Sequence, residues 1–191
     1  MKYIFTIFIA LFLTSCQQET QQTKEQLAAQ EQKKEQLFKT LSQAWNIQKP
    51  MQNPEVTQNL TSWKQWNALE TEIFEKPQSS ITAFKLKTKN ISQRVDSIFI
   101  KIPAIFDKPE VRSRLTALQT KIKMLETFVN LDSIPLAKTQ KTIQEINQEL
   151  NSINSQWNEI IIKNKIPKEI GEEEMLMLLD TVRRANPKSE K

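Results

Sequence analysis

Apolar side chains recur in steps of three and four along two long segments, which is the spacing of one face of an α-helix. The two seams consist of Val111, Leu115, Leu118, Ile122, Leu125 and Val129, and of Ile143, Ile146, Leu150, Ile153, Trp157 and Ile160. Turn-forming residues lie between them, from Asn130 to Pro135. The pattern therefore predicts an antiparallel helical hairpin with a coiled-coil-like seam.

The same spacing continues less strictly elsewhere, over residues 37–45, 55–75, 81–102 and 170–182. Prolines separate these segments, and the intervening composition of Gln, Lys, Glu, Leu and Ile favours helix. We therefore predict an all-α fold, an elongated up-down antiparallel bundle of about four to six helices with coiled-coil-like seams.

Two short motifs have the residue types expected at helix N-termini. Asn53 precedes Pro54, which suits the first helical position because its missing N–H costs no hydrogen bond there. Asp107 precedes Pro109 and lies three residues before Glu110, which is the spacing of a capping box. Both motifs predict a helix that begins at the proline.

The distribution of apolar residues also divides the chain. Residues 16–36 are rich in Gln and Glu and have little to bury apart from Leu27 and two alanines, so they are predicted to form a polar tether. The helical bundle domain is predicted over residues 37–187, and residues 188–191 form a disordered tail.

The N-terminus has the features of an export signal. After Lys2, residues 3–13 are apolar except for one threonine, a length too short for a spanning helix of about 20 residues. The chain's single cysteine follows in Leu13-Thr14-Ser15-Cys16, which resembles the bacterial lipobox. The resemblance implies that residues 1–15 are a lipoprotein signal peptide, cleaved before Cys16. It also implies that the Cys16 thiol is alkylated with diacylglycerol and its amino group acylated.

Such a protein is held at the membrane by its acyl chains, because each buried CH₂ contributes about 0.8 kcal/mol and two or more chains give a stable anchor. The alternative is an ordinary secretory signal with an incidental cysteine, although a lone thiol is unusual in an oxidising envelope. Gln17 stands where the resemblance would place an inner-membrane retention aspartate. This favours the outer membrane facing the periplasm over the inner membrane. Display on the cell surface, which some lineages direct by acidic residues just after the cysteine, is the minority alternative because residues 17–20 carry one acid only.

Composition excludes most sites of catalysis and cofactor binding. The chain has no histidine and only one glycine, Gly171, so glycine-rich phosphate loops and nucleophile elbows cannot be built. With Cys16 acylated, any metal would be bound by oxygen alone, and we expect no cofactor. Glu70, Glu72 and Glu75, and the run 172–174, could perform acid–base chemistry, but they are better explained as a solvated face and a helix start. A carboxylate-only hydrolase is therefore the weakest of three hypotheses.

Positive charge is concentrated in residues 78–131, which contain ten cations and four acids and so carry a net charge of +6. A basic surface near a membrane can bind lipid phosphates or an acidic envelope component, whereas nucleic acid is not expected in this compartment. The candidate interaction surface consists of Lys85, Lys89, Arg112, Arg114 and Lys121. The alternative is a solvated face whose cations pair with acids, for instance Lys121 with Glu145 or Glu149 across the hairpin.

The last apolar segment offers a second candidate contact at Met177, which falls off the main stripe and could form an adaptable partner-binding face. The first hypothesis for function is a non-enzymatic, lipid-anchored envelope protein that acts as scaffold, accessory subunit or inhibitor through protein–protein contact. The second is a bundle that binds a small apolar or anionic ligand between its helices, in a slot lined by Trp45, Trp63, Trp66 and Trp157, although tryptophan at seam spacing is usually core.

Overall fold

The computed structural model describes residues 24–167 together with Gly171 and Met175. The predictions for Cys16, Met177 and the tail 188–191 therefore lie outside the described residues. Residues 24–167 contain no strand, and their helices are α1 (24–44), α2 (Pro54–Leu60), α3 (Lys64–Phe74), α4 (Ile81–Asp96), α5 (Pro109–Asn130) and α6 (Leu136–Lys165). The predicted all-α bundle is confirmed.

Consecutive helices pack against each other from α3 to α6, and α2 packs on α6. Trp63, the residue before α3, and Trp66 of α3 both contact Trp157 of α6, so α3 and α6 meet in the interior. Ion pairs fix the relative direction of the last two helices, because Lys121 lies at 2.8 Å from Glu145 and Arg114 at 3.9 Å from Glu149. Residue numbers rise along α6 as they fall along α5, so these two helices are antiparallel.

The seam predicted from the apolar spacing is confirmed position by position. All six seam residues of α5 and all six of α6 are buried, and the helices end and begin around the turn that follows Asn130. Both seams face the interior because steps of three and four keep side chains on one side of a helix with 3.6 residues per turn.

The segment before the hairpin differs from its predicted form. The apolar pattern extends to Ile102, but α4 ends at Asp96, and residues 97–108 form an irregular connection that buries Ile98 and Phe106. A helix cannot run on to Ile102, because Lys101 has a φ of 55° and Pro103 disfavours helical geometry in the residue before it. Because the helix stops early, the carbonyl of Ile98 accepts a hydrogen bond from the indole Nε1 of Trp63 at 3.1 Å.

Of the two predicted caps, one is confirmed and one is wrong. The Asn53 side chain accepts a hydrogen bond from the backbone N–H of Glu55 at 3.0 Å, and α2 starts at Pro54. Helix α5 does start at Pro109, but its N-cap residue makes no side-chain cap bond. The Asp107 carboxylate binds the Arg112 guanidinium instead, because a charged bidentate pair competes successfully for the same oxygens.

Helix α1 joins the bundle only through its last turns. All side chains of residues 24–36, the described part of the predicted tether, are exposed, and Leu41 is the first buried residue. Trp45 then packs edge-to-face on Phe84 in the first turn of α4, with ring centroids 5.5 Å apart. The point of attachment of α1 is therefore the end of the bundle where α4 begins.

Between α1 and α2 the chain runs along α6 in a non-helical strap, residues 45–53. Two asparagine side chains of α6 hold its backbone: Asn147 Oδ1 accepts from the N–H of Gln48 at 3.1 Å, and Asn154 Nδ2 donates to the carbonyl of Met51 at 3.0 Å. Asparagine suits this role because its amide both donates and accepts, as a backbone group in a sheet would.

We expect Asn154→Leu to lower the free energy of unfolding by about 0.5–1.5 kcal/mol, because the strap loses the hydrogen bond from the buried Asn154 amide to the Met51 carbonyl. Chemical denaturation measures this change. The matched variant Asn151→Leu removes only an amide that bonds its own helix at the Asn147 carbonyl, and should cost clearly less. Equal costs at the two positions would contradict the role of Asn154 as a strap clamp.

Candidate interaction surface

The basic residues proposed from sequence divide into two groups according to their partners. Arg112 binds Asp107 through two nitrogens, at 2.6 and 3.0 Å, within the connection that precedes α5. Arg114 and Lys121 face the acids of α6, Glu149 and Glu145. The expected alternative, pairing of Lys121 across the hairpin, is therefore present in the structure, and three of the five candidate cations have an acid beside them.

The carboxylates in these pairs are held in their charged form. Hydrogen bonds from Arg112 lower the pKa of Asp107, and the hydrogen bond from Lys121 lowers the pKa of Glu145. The same holds for Asp96 on α4, whose pKa is lowered by a hydrogen bond from Lys123. Because the folded pKa is depressed, the stabilisation is present at neutral pH and is lost as pH falls through the lowered value.

Lys85 and Lys89 form the second group, on α4. Among residues 24–167, neither has a carboxylate within ion-pair distance. Lys89 is exposed and Lys85 half-buried, one turn apart on the same side of the helix. Their charge is therefore directed to solvent.

The two groups do not meet on one surface. Arg112 and Arg114 are two residues apart on α5 and so project to different sides of that helix. Asp96 contacts Gln119 and Lys123 of α5, and Lys89 lies two helical turns before Asp96. The start of α4 packs on Trp45, three residues before the Gln48 that bonds Asn147 of α6, and Ile98 after its end bonds Trp63, which contacts Trp157 further along α6. Helix α4 therefore runs parallel to α6 and antiparallel to α5. This places Lys89 roughly 24 Å from Arg112 along the α5 axis, well beyond the Debye length of about 8 Å. Lys89 and Arg112 therefore lie on separate parts of the surface.

The carboxylates of Glu70, Glu72 and Glu75, at the end of α3, also form ion pairs with lysines. Lys87 lies 3.1 Å from Glu72 and 2.7 Å from Glu75, and Lys49 lies 3.0 Å from Glu70. The hydrogen bond from Lys87 lowers the pKa of Glu75, the opposite of what a general acid at neutral pH requires. These acids are explained by their ion pairs; the run 172–174 lies outside the described residues.

The four tryptophans proposed for a ligand slot are buried core residues. Trp66 meets Trp157 edge-to-face at 4.8 Å, Trp63 lies 5.5 Å from Trp66, and Phe106 completes the cluster at 5.6 Å from Trp157. Trp63 is 0% exposed, Trp66 2% and Trp157 1%. The Nε1 atoms of Trp66 and Trp157 have no hydrogen-bond acceptor in the described part of the chain. The rings occupy the space in which a ligand between the helices would lie.

Two open grooves lie on the surface. One, of about 720 Å³, is formed between α2 and the connection before α5, and half of its eight lining residues carry an amide or a hydroxyl group. The other, of about 300 Å³, lies beside the Lys87 ion pairs. In the described residues no three His, Cys, Asp or Glu side chains are placed to hold a metal ion. None of the helices described has the length and apolar character needed to cross a membrane.

A scan against protein-family models and searches of curated proteins and of solved structures find no match to this chain. What the protein does is therefore inferred from its own residues.

Proposed function

We propose that the chain is a lipid-anchored protein of the bacterial envelope, most simply of the outer membrane facing the periplasm, which works without catalysis. Its helical bundle acts as scaffold, accessory subunit or inhibitor by contact with another envelope protein. The observation that supports contact at the outer surface is the tryptophan cluster, because Trp63, Trp66 and Trp157 pack against each other and fill the bundle interior.

The anchor is supported by the order of the N-terminal features. A basic start, an apolar segment and the lipobox-like Leu13-Thr14-Ser15-Cys16 follow each other as in a lipoprotein signal. The exposed helical residues 24–36 span about 20 Å. They would separate the bundle from a membrane that holds Cys16.

We expect Cys16→Ala to abolish labelling by a fatty-acid probe and to move the protein from the membrane fraction to the soluble fraction, because the acyl chains are its proposed anchor. Metabolic labelling and fractionation of cells measure both effects. Ser15→Ala is the matched control, since a small residue is kept before the cysteine. Stable membrane attachment of the unlabelled Cys16→Ala protein would overturn the lipoprotein proposal.

The proposed contact is tested by crosslinking in intact cells from photoreactive side chains at exposed positions on different faces, such as Thr127 of α5 and Gln148 of α6. A partner protein should attach from one face and not from all of them. If no face yields a crosslink while a small ligand quenches the tryptophan fluorescence, the protein is a ligand-binding module instead.

A further inference from the structure

One end of the bundle combines exposed lysines with exposed leucines. Lys85 and Lys89 lie near the start of α4, and Lys138 lies in the first turn of α6. Leu131 and Leu136 flank the turn between α5 and α6 and are 45% and 37% exposed. Because α4 and α5 pack against each other with Asp96 beside Lys123, the start of α4 lies level with the end of α5. We call this group the turn end.

The turn end carries charges of both signs, but its lysines and acids are not all paired with each other. Lys87 forms ion pairs with Glu72 and Glu75, whereas Lys85, Lys89 and Lys138 have no ion pair within residues 24–167. Glu72 and Glu75 are thus paired, and Glu126 and Asp132 are the acids nearest the turn in sequence. Three lysines without an ion pair among the described residues therefore lie on the elements that meet at the turn, which also carries the two exposed leucines.

The turn end is also where α1 joins the bundle. Trp45, which directly follows α1, packs on Phe84, the residue before Lys85. An anchor near residue 16 would therefore be joined to the bundle through a helix whose C-terminal end meets this end, whereas the other end of α5 lies about 33 Å away.

We propose that the turn end docks on an anionic lipid surface, with the lysines facing lipid phosphates and Leu131 and Leu136 entering the headgroup boundary. Exposed apolar residues flanked by lysines are the combination that binds at a membrane interface, and the lysine contribution requires anionic lipid. The proposal rests on the proposed anchoring only for the argument of proximity, so it is testable without the anchor.

The connection between α4 and α5 supplies a matched comparison. In the connection before α5, Ile100 is 52% exposed and stands beside Lys101, with Lys108 further on. These residues resemble the turn end in exposure and charge but lie far from the attachment of α1. If the turn end docks on a membrane, a probe at Leu131 should therefore enter the lipid environment, whereas a probe at Ile100 should not.

The test uses the full chain with Cys16→Ala, which leaves a single introduced thiol, and an environment-sensitive fluorophore at either Leu131→Cys or Ile100→Cys. Each labelled protein is mixed with vesicles of phosphatidylcholine, or of phosphatidylcholine with added phosphatidylglycerol. We expect the Leu131 label to shift its emission to shorter wavelength only with the anionic vesicles. The shift should disappear in roughly 0.5 M salt and in the double variant Lys85→Glu/Lys89→Glu. The Ile100 label should not shift.

Circular dichroism checks that each variant is folded. If Lys85→Glu/Lys89→Glu unfolds the chain, the milder double variant Lys85→Gln/Lys89→Gln replaces it. An unchanged Leu131 label, or equal shifts at both positions, would overturn the proposal. So would a shift that survives neutralisation of the lysines. A shift that grows with protein concentration in the absence of vesicles would instead assign the turn end to contact between copies of the chain. The lipid anchor is tested separately. If a thiol reagent labels Cys16 in the chain that retains this cysteine when it is isolated from cells, the thiol is free and the anchor proposal fails.

Discussion

Replacing Leu118 by aspartate is expected to destabilise the protein by more than about 4 kcal/mol, a large part of the 5–15 kcal/mol that holds a typical domain together. Leu118 is fully buried on the α5 seam, and an aspartate there would place an unpaired charge between helices. Leu150→Asp, on the facing seam of α6, should cost a similar amount. Chemical denaturation followed by circular dichroism measures both.

The control for these variants is Thr120→Asp, an exposed position of the same helix with similar helix propensity before and after the change. It should alter the free energy of unfolding by about 0.5 kcal/mol or less. Gln119 is a poorer control because its amide donates a hydrogen bond to Asp96 at 3.1 Å. Similar losses at Leu118 and Thr120 would contradict the packing of the hairpin.

The second large effect is expected at Trp157, where removal of the ring should cost about 3–5 kcal/mol. Trp157 contacts Trp63, Trp66 and Phe106, so Trp157→Ala would leave a cavity shared by three elements that only partly collapses. Thermal and chemical denaturation measure the loss.

Trp157→Phe separates packing from hydrogen bonding. Because the Nε1 atom of Trp157 has no acceptor in the described residues, phenylalanine loses volume but no polar contact and should cost clearly less than alanine. If Trp157→Ala left the stability nearly unchanged, the cluster would not be a core. A ligand slot at that position would then regain support.

The α5–α6 hairpin could be predicted in detail because both its helices are long and strictly periodic. Burial of every seam residue from Val111 to Ile160 depends only on spacing within each helix and on a turn between them. The end of α4 could not be predicted in this way, since Ile98 and Phe106 are buried from an irregular connection. Apolar residues in such a connection have no period, and their burial depends on what lies opposite them.

The candidate site was less predictable than the fold. Composition indicated the basic region, and charge alone suggested that Lys121 could pair with Glu145, which it does. The asparagines at 147, 151 and 154 share one side of α6, a spacing visible in the sequence, but nothing local shows that a strap of backbone lies against them.

Residue type and local period were enough to establish the helical class, the seams of α5 and α6 and the exclusion of histidine and glycine-loop chemistry. Three further features emerge only from the packing of distant segments: which cations have an acid beside them, the separation of Arg112 from Lys89, and the attachment of α1 next to Lys85. The physical reason is that an ion pair or a surface depends on the rotation and register of helices that are distant in sequence. No local pattern of residues encodes that arrangement.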